Sequence, residues 1–90
     1  MKEQKIEKYL KDKIEHLGGH ALKFNSGVRG VPDRIVLLPG GKVIFVELKA
    51  PGKKPRPLQE KRLRDLNELG FHAIVIDSKS KVDDFINEVR

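Results

Sequence analysis

No cysteine occurs anywhere in the 90 residues, so neither a disulfide nor a thiolate zinc site can hold this chain together. A chain this short buries a limited core, and packing, a metal with other ligands, or association must supply the rest. No apolar run reaches membrane-spanning length. The N-terminus, Met1-Lys2-Glu3-Gln4-Lys5, is charged and unlike a signal peptide. Internal repeats and low-complexity segments are also absent. His16, His20 and His72 stand at no metal-pair spacing and read as surface or strand-edge side chains. These absences lead to the expectation of one soluble, intracellular domain over residues 1–90, in a reducing cytoplasm and with no membrane contact.

Charge, by contrast, is plentiful. The chain carries 19 Lys and Arg against 13 Asp and Glu, a net +6. The surplus is uneven: from Pro51 to Arg64, six basic residues (Lys53, Lys54, Arg56, Lys61, Arg62, Arg64) face a single acid, Glu60. Such a cluster suits a polyanion, nucleic acid being the commonest. A solvated loop and helix face has the same composition.

Apolar spacing predicts the order helix, three strands, helix, strand, helix. Ile6, Leu10, Ile14 and Leu17 recur at helical intervals over Lys2 to Leu17, and Gly18-Gly19 supplies a stop. His20 to Asn25 alternates as a strand. Arg34 to Leu38 and Val43 to Lys49 are apolar strands joined by Pro39-Gly40-Gly41-Lys42. Their unbroken apolar runs place this hairpin in the centre of a sheet, covered on both faces. Ala50 to Arg56, with two prolines and a glycine, is an exposed loop. Pro57 opens a helix to about Leu69, with Leu58, Leu63, Leu66 and Leu69 as its apolar positions. Phe71 to Asp77 is the last strand, and Ser80 caps a closing helix that buries Val82, Phe85, Ile86 and Val89. A helix linking two strands implies a right-handed crossover, hence an α/β fold with a mixed sheet.

Three charges sit where a structural hairpin would not want them. Asp33 opens the first strand of the pair, and Glu47 and Lys49 end the second. Alternation puts Glu47 and Lys49 on the face that Val43 and Phe45 also occupy, where a lone charge is costly to bury. Two carboxylates with no thiolate suit a hard cation, Mg²⁺ or Mn²⁺. Such an ion polarises a phosphoryl oxygen and acidifies water, and a lysine beside it can orient that water or stabilise charge on phosphate. The backbone carbonyl of Leu48 could add a ligand. On the helical wheel, Glu3 falls about 25° from the centre of the first helix's apolar stripe and Glu7 about 65°. Glu3 thereby becomes a candidate to reach the metal, although a helix N-terminus favours an acid in any case.

The run Gly30-Val31-Pro32-Asp33-Arg34, the hairpin, then Phe45-Val46-Glu47-Leu48-Lys49 and Gln59 resembles the virus-type replication-repair nuclease (VRR-NUC) domain of the PD-(D/E)XK nuclease superfamily. Pro32-Asp33 matches the PD, and Glu47-Leu48-Lys49 the (D/E)XK. The resemblance covers nearly the whole chain and implies a restriction-endonuclease-like core in a stand-alone domain of phage or bacterial type. It implies metal ligation by Asp33 and Glu47, catalysis by Lys49, and places for Gln59 and Glu3 at the site. A tyrosine that follows the glutamine in some related nucleases is missing, Arg62 and Leu63 occupying that region. The expected activity is a Mg²⁺- or Mn²⁺-dependent DNA endonuclease acting on branched DNA as a homodimer, without a small-molecule cofactor. Arg29, Arg34, Lys53, Lys54 and Arg56 are the expected DNA contacts. A nickase of little selectivity, or a DNA-binding module with an idle acidic site, are the alternatives.

Overall fold

The computed structural model describes residues 2–90. The first helix, α1 (Glu3–His16), buries Ile6, Leu10 and Ile14. It stops as the glycine pair requires: Gly18, at φ +83°, donates to Glu15 O, and Gly19 donates to Ile14 O. These two bonds satisfy helix-end carbonyls that would otherwise lack donors. Then come β1 (His20–Lys23), β2 (Arg34–Leu38) and β3 (Lys42–Leu48), followed by α2 (Pro57–Glu68), β4 (His72–Ile76) and α3 (Lys79–Val89).

The sheet order is β1-β2-β3-β4, with the first two pairings antiparallel and β3–β4 parallel. The hairpin is central and the sheet mixed, as expected. Its Pro-Gly-Gly turn sets the register that matters: Arg34 lies opposite Val46. The next residue along each strand is Asp33 and Glu47, so the turn brings the two acids face to face.

Coverage of the two faces is unequal, which corrects the expectation of a hairpin buried on both sides. On one face Val36, Leu38, Ile44, Val46, Leu48 and Ile76 pack with α1 and with Val82, Phe85 and Ile86 of α3. The other face is roofed by α2, mainly over β4, with Gln59 reaching the end of β3. There Asn67 clamps the helix end, its side-chain amide donating to Leu63 O and Ala73 O and accepting from Ala73 N–H. Of the four α2 leucines expected to pack inward, only Leu63 is buried, while Leu58 and Leu69 are exposed. Phe24, Phe45 and Phe71 run across the open face edge to face, with centroids 5.8 and 5.7 Å apart. The crossover is too short a helix to span four strands, so β1, β2 and the first part of β3 keep this apolar side only partly covered, with Leu22 and Phe71 exposed.

The cap of α3 also moves. Ser78, rather than Ser80, accepts from Lys81 N–H at 3.1 Å, because the chain leaves β4 still extended (φ −159°, ψ 160° at Ser78) and turns helical directly afterwards. All three histidines are exposed. Among the described residues, no helix is long and apolar enough to cross a membrane.

Candidate active site

Among the described residues Glu47 is the one buried charged side chain, 3 % exposed, at the end of β3. Lys49, two residues on along the same face, holds its Nζ 3.7 Å from Glu47 Oε2. From α2, Gln59 Nε2 donates to that same oxygen at 3.3 Å. The opposite end of the Gln59 amide is fixed too, since its carbonyl accepts from Arg56 N–H at 2.8 Å. Gln59 is the third residue of α2, where a glutamine can reach back to the free N–H before the helix. That capping contact aims the amide nitrogen at Glu47. Gly30 makes the approach possible. It has φ +83°, and a Cβ there would come within 2.8 Å of Leu58 Cγ and 3.0 Å of Leu58 O.

Asp33 stands at the mouth of β2. Its Oδ1 accepts from Leu48 N–H at 3.4 Å, and its Oδ2 lies 3.2 Å from Arg34 Nη1. The Leu48 amide thus helps to hold the Asp33 carboxylate in place. Arg34 departs from expectation. An expected DNA contact by sequence, it has a side chain only 13 % exposed. Its Nη2 donates to Glu7 Oε2 and its Nη1 to Asp33 O. Three acceptors close at hand hold the guanidinium more strongly than a solvent-facing pose would.

The same ion pair separates the two acids of α1. Glu7 is committed to Arg34. Glu3 is half-buried near the centre and raises the proton affinity of both Asp33 and Glu47 electrostatically. Burial is the main influence on Glu47 and, with the neighbouring Asp33 and Glu3 charges, pushes its carboxyl up to about 7; Lys49 opposes the shift. Asp33 is also raised, chiefly by burial, against the Leu48 amide and Lys49. Two like charges gathered with partial desolvation are the pattern of a functional centre.

Among the described residues, no group of three or more His, Cys, Asp or Glu side chains is gathered tightly enough to enclose a metal ion. The donors still fit Mg²⁺ or Mn²⁺. Glu47 Oε1 is buried without a hydrogen-bond partner, two carboxylates converge, and all donors are oxygens. Mg²⁺ is held by one or two carboxylates with waters and substrate phosphate completing its shell.

Beside Gln59 lies a cavity of about 420 Å³ lined by Arg29, Gly30, Arg56, Leu58 and Gln59. The Arg29 carbonyl accepts from Arg62 Nε at 3.1 Å, which ties the loop before β2 to α2. Lys53 and Lys54 are exposed on the neighbouring loop. The sequence points to Arg29, Lys53, Lys54 and Arg56 as DNA contacts and counts Arg62 in the same basic run, but does not foresee that Arg62 ties Arg29 to α2.

The VRR-NUC domain profile matches residues 2–80. The chain belongs to the VRR-NUC family. A solved structure titled "VRR_NUC domain" superposes with a TM-score of 0.89 at 34 % identity, covering 98 % of this chain and 97 % of that one. "Putative nuclease p44" from Acyrthosiphon pisum secondary endosymbiont phage 1 is 52 % identical over 80 residues, 88 % of this chain and 86 % of that protein. The VRR-NUC domain is thus a nuclease domain by family, with a PD-(D/E)XK-like α/β fold.

Proposed function

We propose that this VRR-NUC domain is a metal-dependent DNA endonuclease that cuts branched DNA as a homodimer. The observation that carries the reading is the convergence of Asp33, Glu47 and Lys49, with one buried Glu47 oxygen left unpartnered. Asp33 and Glu47 would hold Mg²⁺ or Mn²⁺, with Glu3 beside them. When bound, the ion supplies Lewis-acid polarisation of the phosphoryl oxygen and acidifies water. Lys49, partly desolvated, orients the attacking water or stabilises charge growing on the phosphate. Gln59 positions Glu47. Arg29 and Arg56 flank the cavity that the backbone would enter, with Lys53 and Lys54 along its path. An idle acidic site is disfavoured, because a pure binder gains nothing from a buried carboxylate facing phosphates.

The test is cleavage of junction, flap, splayed and linear duplex DNA with Mg²⁺ or Mn²⁺. Preferential paired incision of the junction supports the proposal. Equal nicking of every substrate favours the unselective nuclease, and no cleavage of any favours the binding module. Lys49→Ala is expected to be inactive yet still take up metal. Calorimetry showing that metal uptake goes with it would make Lys49 structural.

Replacing Lys53, Lys54 and Arg56 by alanine should weaken binding without changing base preference. Each lost phosphate contact should flatten the dependence of log affinity on log salt by about 0.9 for duplex DNA. An unchanged slope places the DNA path elsewhere.

The homodimer rests on the open sheet face. Leu22 is 46 % and Phe71 48 % exposed beside Phe45, with no charged side chain between them. A second copy could cover that face without opposing the net +6 locally, and the Glu47 row of the sheet would then lie near the two-fold axis. Light scattering at micromolar concentration should return twice the 10.2 kDa chain mass, and Leu22→Glu with Phe71→Glu should halve it. A monomer with and without junction DNA would overturn the paired-cut reading.

A further inference from the structure

Away from the acidic centre, α1 and α3 build a second charged feature. Tyr9 donates its hydroxyl to Asp83 at 2.7 Å, clamping the two helices. Lys13 and Lys79 place their ammonium groups over the Tyr9 ring, 5.3 and 5.1 Å from its centroid. Lys5, Lys8, Tyr9, Asp12 and Lys79 line an open cavity of about 370 Å³ there.

The two acids of this region are already committed: Asp12 to Lys8 at 3.2 Å, and Asp83 to the Tyr9 hydroxyl. Lys5, Lys13 and Lys79 form no ion pair among the described residues. An aromatic face attracts a cation electrostatically, so the tyrosine holds two ammoniums against its ring without neutralising either. A concave, clamped surface with surplus positive charge fits an anion with several charged oxygens.

We propose that this cluster is a second phosphate-binding site, which takes the backbone of a DNA segment other than the one being cut. The placement follows from α1 itself. At about 100° per residue, Lys5 lies roughly 160° around the helix from Glu3. Glu3 and Glu7 flank the acidic centre, while Lys5 and Tyr9 lie on the flank toward α3. Duplex DNA is stiff, with a persistence length of about 150 bp. A body of 32 × 31 × 22 Å will not wrap a single short duplex around both flanks, whereas a branch point offers separate arms. This inference rests on the proposal that DNA is the substrate and adds the element that distinguishes branched from linear DNA.

The test measures binding of a four-way junction, and of a linear duplex with arms of matched length, by fluorescence anisotropy in chelator so that cleavage plays no part. Lys5→Gln with Lys79→Gln is compared with Lys11→Gln plus Lys42→Gln, which removes the same charge from exposed positions outside the cavity. The first pair should weaken junction binding and flatten its log–log salt slope by about 1.8, two contacts at about 0.9 each. Linear-duplex binding should change no more than in the control pair. Equal losses for both DNAs would put these lysines on the path of the cleaved segment and overturn the second site. A junction slope unchanged from wild type would overturn it outright while leaving the nuclease reading intact. Absence of any DNA binding by the wild type would remove both.

Discussion

Asp33→Asn and Glu47→Gln should each lower DNA cleavage by roughly 10²–10³-fold or more, the scale of losing one preorganised charge-stabilising group, while DNA affinity stays close to wild type. Both acids face one point from opposite strands, and each variant removes a charge without changing side-chain length. Affinity has a different source. It comes mainly from lysine and arginine contacts to phosphate, and counterion release makes it salt-dependent. Activity and affinity should therefore separate. Single-turnover cleavage in Mg²⁺ and Mn²⁺, with anisotropy on the same DNA, reads the two together. Near wild-type turnover in either variant would remove that acid from the site. A parallel collapse of affinity would make it part of the DNA path instead.

The same Glu47→Gln variant should be more stable than wild type in the absence of metal at pH 8. Folding lifts the Glu47 carboxyl from the ordinary 4.5 to about 7, so the folded state keeps a proton that the unfolded chain has lost. Stability from this group is then intact below about pH 4.5 and falls as pH rises from there to about 7. Above that the whole penalty is present, at most about 3 kcal/mol. Glutamine carries no charge to desolvate, and its carbonyl can still accept from Gln59. A gain of about 1–3 kcal/mol would raise Tm by roughly 4–8 °C per kcal/mol in a chain of this size. Thermal melts with chelator at pH 5 and pH 8 measure it, and the advantage should shrink at the lower pH. Mg²⁺ should raise the wild-type Tm far more than the variant's, since ligand binding to the folded state stabilises it by mass action. A variant no more stable than wild type at pH 8 would show that Glu47 is not strained by its burial.

The pairing of Asp33 with Glu47 was legible because it depends on local rules only. A hairpin's turn fixes its register, and a register fixes which residues stand opposite. Proline, glycine and apolar spacing likewise located the seven elements to within a few residues. The Gln59 contact was half legible. Its position early in a helix that starts at Pro57 was readable, but its reach to Glu47 depends on where the crossover sets α2 against the sheet.

What the sequence by itself determined is the hairpin, the two acids facing each other at its open end, the lysine two residues beyond, and an excess of positive charge around them. These follow from turn chemistry, side-chain alternation and composition, none of which needs a distant partner. Tertiary structure decided the rest. A helical wheel places Glu3 and Glu7 40° apart on one flank, and only the position of Arg34 assigns Glu7 to an ion pair and leaves Glu3 near the centre. Arg34 reads in sequence as one more cation of a basic protein, yet three acceptors from two elements turn it inward. The partly open face of β1 to β3 was invisible in advance, because an apolar strand looks the same whether its second side meets a helix or solvent. Whether a helix is there depends on the path of the chain between strands, and that is settled by packing between residues far apart in sequence.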